Sequence, residues 1–117
     1  MPPVKGKRPA IQHRPPASAE AGRPVELELN ISESADVRTV RLYYRPVNQL
    51  AQFKMLEAKP GARFTIPGAD VSHRWDLMYY FEVLNSSNSG WFHPDPLRDT
   101  PYYVVKTAPA AIARAID

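Results

Sequence analysis

The sequence predicts an all-β domain, a two-sheet antiparallel β-sandwich of about seven strands, and three observations predict it. Apolar residues recur at every second position in segments 25–31, 37–45 and 77–84, the spacing of strands with one buried face. Thirteen prolines stand against five glycines. Proline removes a ladder donor and breaks helices, so it cuts a chain into short extended pieces joined by turns. Turn signals such as Gly22-Arg23-Pro24 and Lys59-Pro60-Gly61 separate these pieces, and no helical period precedes the alanine-rich end.

Taken in order, residues 1–9 are basic and proline-rich and predict an extended arm or linker, with the domain at 10–107 and a tail at 108–117. A short first strand at 10–14 ends at Pro15 and Pro16. In the next strand Val25, Leu27, Leu29 and Ile31 share one face, and Glu26, Glu28 and Asn30 the other. A polar turn at 32–36 follows, and then Val40, Leu42 and Tyr44 oppose Arg41, Tyr43 and Arg45. Two shorter strands are expected at 53–57 and 63–66, the second ended by Pro67 and Gly68. Segment 77–84 places Leu77, Tyr79, Phe81 and Val83 opposite Met78, Tyr80, Glu82 and Leu84, and its aromatic and β-branched content predicts a central strand. After a Ser/Asn loop at 85–90, residues 91–93 open the last strand, 94–101 interrupts it as a bulge or loop, and 102–106 complete it. The stretch 108–117 is long enough for only one or two helical turns, which are marginal without packing.

The bulk numbers bound the function classes. At 117 residues, 44% hydrophobic and 23% charged, the chain has the size and composition of one folded domain. It contains no cysteine, which excludes disulfides, thiolate nucleophiles and thiolate metal sites. No run approaches the roughly 20 apolar residues of a membrane helix, and the N-terminus has no apolar signal stretch, so a soluble module with no membrane role is expected. A module from the middle of a secreted protein would also lack a signal. The net charge of +3 owes much to Lys5, Lys7, Arg8 and Arg14, while charges are mixed from Pro24 onward. Nucleic-acid binding, which gathers Lys and Arg on one face, is not expected.

From Ala21 to Lys106 the order of features resembles the immunoglobulin-like and fibronectin type III-like modules of bacterial multidomain proteins. The residues carrying the resemblance are Gly22-Arg23-Pro24 before an alternating strand, Val40-Arg41-Leu42-Tyr43-Tyr44-Arg45, Phe64 to Pro67, and Tyr79-Tyr80-Phe81-Glu82-Val83 before a loop ending in Gly90. It covers about three quarters of the chain. The resemblance implies an immunoglobulin-like sandwich, attached to polysaccharide-active or cell-surface enzymes and thus extracytoplasmic or secreted within a larger protein. The antibody-type cysteine pair is missing, and the insertion at 94–101 departs from a simple last strand. The resemblance also implies a tyrosine corner, in which Tyr79 fills the core and its hydroxyl bonds upstream backbone.

Candidate chemistry is sparse. His13, His73 and His93 belong to no catalytic motif and are expected as solvated loop histidines, so no enzyme and no cofactor are expected. His93, Asp95 and Asp99 fit no metal-ligand spacing, and the two aspartates read more simply as turn caps beside their prolines. The sequons Asn30-Ile31-Ser32 and Asn85-Ser86-Ser87 are treated as incidental.

The aromatics carry more information, because Tyr43, Tyr80, Trp75, Trp91 and Phe92 cannot all face inward if Tyr44, Tyr79 and Phe81 do. Arg41, Tyr43, Arg45, Tyr80 and Glu82 can share one outer sheet face, and with Trp91 they form the candidate binding set. Three readings stay open. Tyr43 and Tyr80 read as a cross-strand packing pair; as a platform, with Trp91, for the sugar rings of a polysaccharide; or, with Met78 and Leu84, as an interface to a neighbouring domain or another copy of the chain. The preferred expectation is a non-catalytic accessory or spacer module, with carbohydrate binding and self-association as alternatives.

Overall fold

The computed structural model describes residues 8–32 and 36–109. Regular structure there is β, apart from one 3-10 turn at Gly68–Asp70. The ten strands among the described residues are β1 (Ala10–Gln12), β2 (Ser18–Glu20), β3 (Val25–Glu28), β4 (Asn30–Ser32), β5 (Val37–Pro46), β6 (Lys54–Ala58), β7 (Arg63–Ile66), β8 (Leu77–Asn85), β9 (Gly90–His93) and β10 (Tyr103–Ala108).

The larger sheet runs β2-β10-β8-β5-β6, with β9 also paired to β8. Its spine is the antiparallel β5–β8 ladder, which extends from Val37 opposite Asn85 to Pro46 opposite Leu77. Because β5 occupies one edge of β8 throughout, β9 and β10 share the other, at Phe81–Leu84 and Leu77–Tyr79 respectively. They are two halves of one strand interrupted at 94–101, as the sequence predicts. β8 is central, as its composition predicts.

The second layer consists of β3 paired with β7 and β1 paired with β4, both antiparallel. Leu29 alone separates β3 from β4, and burial alternates across the break, with Val25, Leu27 and Leu29 inside and Glu26, Glu28 and Asn30 outside. Side chains from both layers meet in one core. Leu27 is 1% exposed and Leu42 and Phe81 are 0% exposed, in a cluster that also holds Val40, Ile66, Tyr79, Val83 and Val105. Each such side chain contributes roughly 1.5–3 kcal/mol by leaving water.

Three expectations need correction. The strand count exceeds seven because two expected single strands are split, at Leu29 and at the 94–101 insertion, and because β2 forms in the segment after Pro15 and Pro16 that reads from sequence as a turn. After those prolines the chain changes layer, so β1 pairs with β4 whereas β2 pairs with β10. The β2–β10 pair is parallel, so the sheets are not purely antiparallel, and Ala108, assigned to the tail, sits in the ladder opposite Glu20. The arm is described only at Arg8 and Pro9, where the Arg8 guanidinium donates to the Phe92 carbonyl at 2.6 Å. The rest of the arm and the tail beyond residue 109 lie outside the described residues.

Gly90 has a steric reason. A Cβ there would lie 1.7 Å from the Val83 carbonyl oxygen, so only glycine lets β9 close onto β8 after the loop.

Candidate interaction face

Cross-strand register sets the outer face of the larger sheet, because residues directly opposite in a ladder point the same way. One row reads Glu57, Arg41, Glu82 and Phe92; the next Met55, Tyr43 and Tyr80; the next Arg45, Met78 and Val104. The structure thus brings together Arg41, Tyr43, Arg45, Tyr80 and Glu82, five of the six expected site residues. Trp91 does not join them. It pairs with Val83, whose side chain faces the core, so Trp91 lies on the opposite side of the sheet and Phe92 takes the outward position.

Contacts on this face show which groups remain open to a partner. The Tyr43 and Tyr80 rings stack at 4.9 Å with planes 16° apart, which is the cross-strand packing reading. The Tyr43 hydroxyl donates to Glu82 Oε1 at 2.8 Å, and the Arg41 Nε donates to Glu57 Oε1 at 2.9 Å. Burial, more than the neighbouring carboxylate, pushes the Tyr43 and Tyr80 hydroxyls above their ordinary range. The Arg45 guanidinium lies 4.5 Å over the Phe53 ring, and its Nη1 donates to the Ala51 carbonyl. Arg41, Tyr43, Arg45 and Glu82 are therefore engaged with Glu57, with one another or with the backbone, whereas the described contacts include no hydrogen bond from the Tyr80 hydroxyl.

The open surface is apolar. Phe53, Met55, Tyr102 and Val104 are 36%, 47%, 38% and 49% exposed. A groove of about 340 Å³ runs beside them, floored by Met78 and Tyr80 and walled by Phe53, Phe92, Tyr102 and the prolines 96 and 101. Phe53 and Phe92 meet Tyr80 edge-on, at 5.3 and 5.9 Å between ring centroids. Leu84 and Met78, expected to offer interface area, are only 4% and 8% exposed, so they support the face rather than present it. The outer face of the other layer is polar, with Arg63 bridging Glu26 and Glu28 across the β3–β7 ladder.

Phe53 and Tyr102 were not singled out from sequence, although each stands two positions before an outward residue, Met55 and Val104, and period two carries the same face outward.

The histidines also differ from expectation. His73 is exposed, but His13 and His93 are half-buried. Tyr79, 0% exposed, places its hydroxyl 2.6 Å from His13 Nε2, a side-chain partner in place of the upstream backbone that the resemblance implies. Tyr103 pairs in the same way with His93 Nε2 at 2.8 Å. Asp95 acts as the expected turn cap, its Oδ1 accepting from the Leu97 N–H. Among the described residues, no group of three or more His, Asp or Glu side chains is placed to hold a metal ion, and no helix is long and apolar enough to cross a membrane. The Asn85 side chain is buried and its Oδ1 accepts from the Ser87 and Ser89 N–H groups, so this sequon residue is occupied in closing the loop.

Compared with known proteins, the chain matches no family model and no curated sequence.

Proposed function

We propose that the chain is a non-catalytic immunoglobulin-like module that packs the outer face of its larger sheet against a neighbouring domain of the same, extracytoplasmic, protein. The immunoglobulin-like reading draws support from the layer order, with β1, β3/β4 and β7 on one side, β2, β9/β10, β8, β5 and β6 on the other, and a first strand split between the layers. The observation that carries the functional reading is the asymmetry between the two outer faces. One is charged and internally paired, whereas the other exposes Phe53, Met55, Tyr102 and Val104 around an apolar groove. Such a surface gains by meeting another apolar surface. A sugar platform needs free hydrogen-bonding groups beside an open ring, and here Tyr43 is stacked while Arg41 and Glu82 are engaged.

Replacing Met55 and Val104 by lysine tests the reading, because both side chains are half-exposed and their loss leaves the core intact. The double variant keeps its melting temperature as an isolated chain, while the carrying protein loses the melting-temperature increment that the module confers on its neighbour. An unchanged increment contradicts domain packing. A glycan array that responds to the isolated chain and is silenced by Tyr80→Ala would install carbohydrate binding instead, and a dimer lost on the same lysine substitutions would install self-association.

A further inference from the structure

The described interior holds a polar cluster that the packing reading does not use. His13 lies between β1 and the prolines that move the chain to the other layer, and it spans both layers. Its Nδ1 is 2.7 Å from the Glu28 carbonyl on β3, and its Nε2 is 2.6 Å from the Tyr79 hydroxyl on β8. A carbonyl only accepts, so Nδ1 carries the proton, Nε2 is the acceptor, and Tyr79 donates. That arrangement exists for a neutral imidazole alone. A second proton on Nε2 would displace the Tyr79 hydroxyl hydrogen into an interior where Tyr79 is 0% exposed.

The second histidine also meets a tyrosine hydroxyl, though no carbonyl is described at its Nδ1 to fix the tautomer. Tyr79 and Tyr103 stack at 5.3 Å on adjacent strands, and the Tyr103 hydroxyl reaches His93 Nε2 at the end of β9, where the 94–101 loop begins. His13 meets the rings of Tyr79, Phe81 and Tyr103 at 5.5, 5.0 and 4.9 Å. The groups facing His13 are thus Tyr79 from β8, Tyr103 from β10, the Glu28 carbonyl from β3, and His93 from β9 through its charge. The Glu28 carboxylate points outward to Arg63. His93 faces Tyr103, His13, Arg8, and the carboxylates of Asp95 and Asp99. No carboxylate meets His13 directly among the described contacts, and the two histidines oppose each other's charging.

We propose that His13 and His93 form an acid-operated latch that holds β1 and the 94–101 loop on the core while both imidazoles are neutral and releases them when both are protonated. β1 is suited to release, because it has three residues and a single pairing partner, β4. Desolvation lowers the pKa of both histidines, in accord with the geometry. Release returns each imidazole to its ordinary value of 6.5, so at about pH 5 the open form gains by up to a factor of about 30 per histidine over its weight near neutrality.

The test follows the intact chain by NMR between about pH 7.5 and pH 5. The expected result is imidazole titration midpoints below 6.5 for His13 and His93. Amide exchange at Ile11 and Gln12, corrected for its intrinsic pH dependence, should accelerate at least tenfold relative to Leu42 and Phe81 on acidification. A variant carrying His13→Gln and His93→Gln should lose that difference. Midpoints at or above 6.5, or β1 amides that exchange in step with β5 and β8, would overturn the latch, and the wild-type titration decides this even if the double variant does not fold.

Discussion

Tyr79 joins the two layers through one hydroxyl. Its ring is buried between Phe81 and Tyr103, and its oxygen holds the histidine that also grips Glu28 of the opposite layer. Tyr79→Phe leaves His13 Nε2 without its donor and should lower the unfolding free energy by about 1–2 kcal/mol in urea titrations. Burial raises the Tyr79 pKa above its ordinary 10.0, so the corresponding stability is complete below that value and is lost as pH rises through and above it. Phenolate absorbance should therefore appear together with unfolding for Tyr79. On the acid side the histidines act in the opposite sense: their depressed pKa values leave stability intact above 6.5 and erode it as pH falls below. The inward position of Tyr79 was legible from period two, but its partner was not, because His13 lies 66 residues away and no local pattern links them.

Among the elements, β3, β5 and β8 were readable because each has a long alternating run, and a strand that must bury one face has only one satisfactory setting. Leu42→Ala at the centre of β5, where exposure is 0%, should cost about 2–5 kcal/mol in thermal unfolding. Leu97→Ser in the 94–101 loop, where exposure is 92%, should change stability by less than about 0.5 kcal/mol. The facing of β9 could not be read. In Gly90-Trp91-Phe92-His93 either aromatic can face outward, and the choice depends on how the 85–89 loop closes, with Asn88 at a φ of 59° and Gly90 tight against Val83. That loop selects Phe92, so Trp91 leaves the expected binding set. Gly90→Ala should disturb this register and cost about 1–3 kcal/mol, read as loss of β9 amide protection. β2 and its change of layer were equally hidden, since Pro15 and Pro16 announce a break but not the destination of the chain.

Across the whole molecule, one dry layer and two unequal outer faces follow from the same alternation. The inward set is large enough to form a continuous core, and the outward set of β3 and β7 is charged. The outward set of β5, β6, β8 and β10 mixes paired charges with aromatic and aliphatic side chains that nothing in the described chain covers completely. Its polar members were visible in the sequence because they alternate with core residues. Its apolar rim was not, because Phe53, Tyr102, Pro96 and Pro101 come from loops and strand ends whose approach to Tyr80 is a tertiary event. Oxidative footprinting of Met55 and Tyr102 in the carrying protein, compared with the isolated chain, measures directly whether this face is covered. Strong protection of both residues in the carrying protein, with no change at the exposed His73 and Leu97, is the result that domain packing predicts. Equal labelling of Met55 and Tyr102 in the two contexts would contradict it.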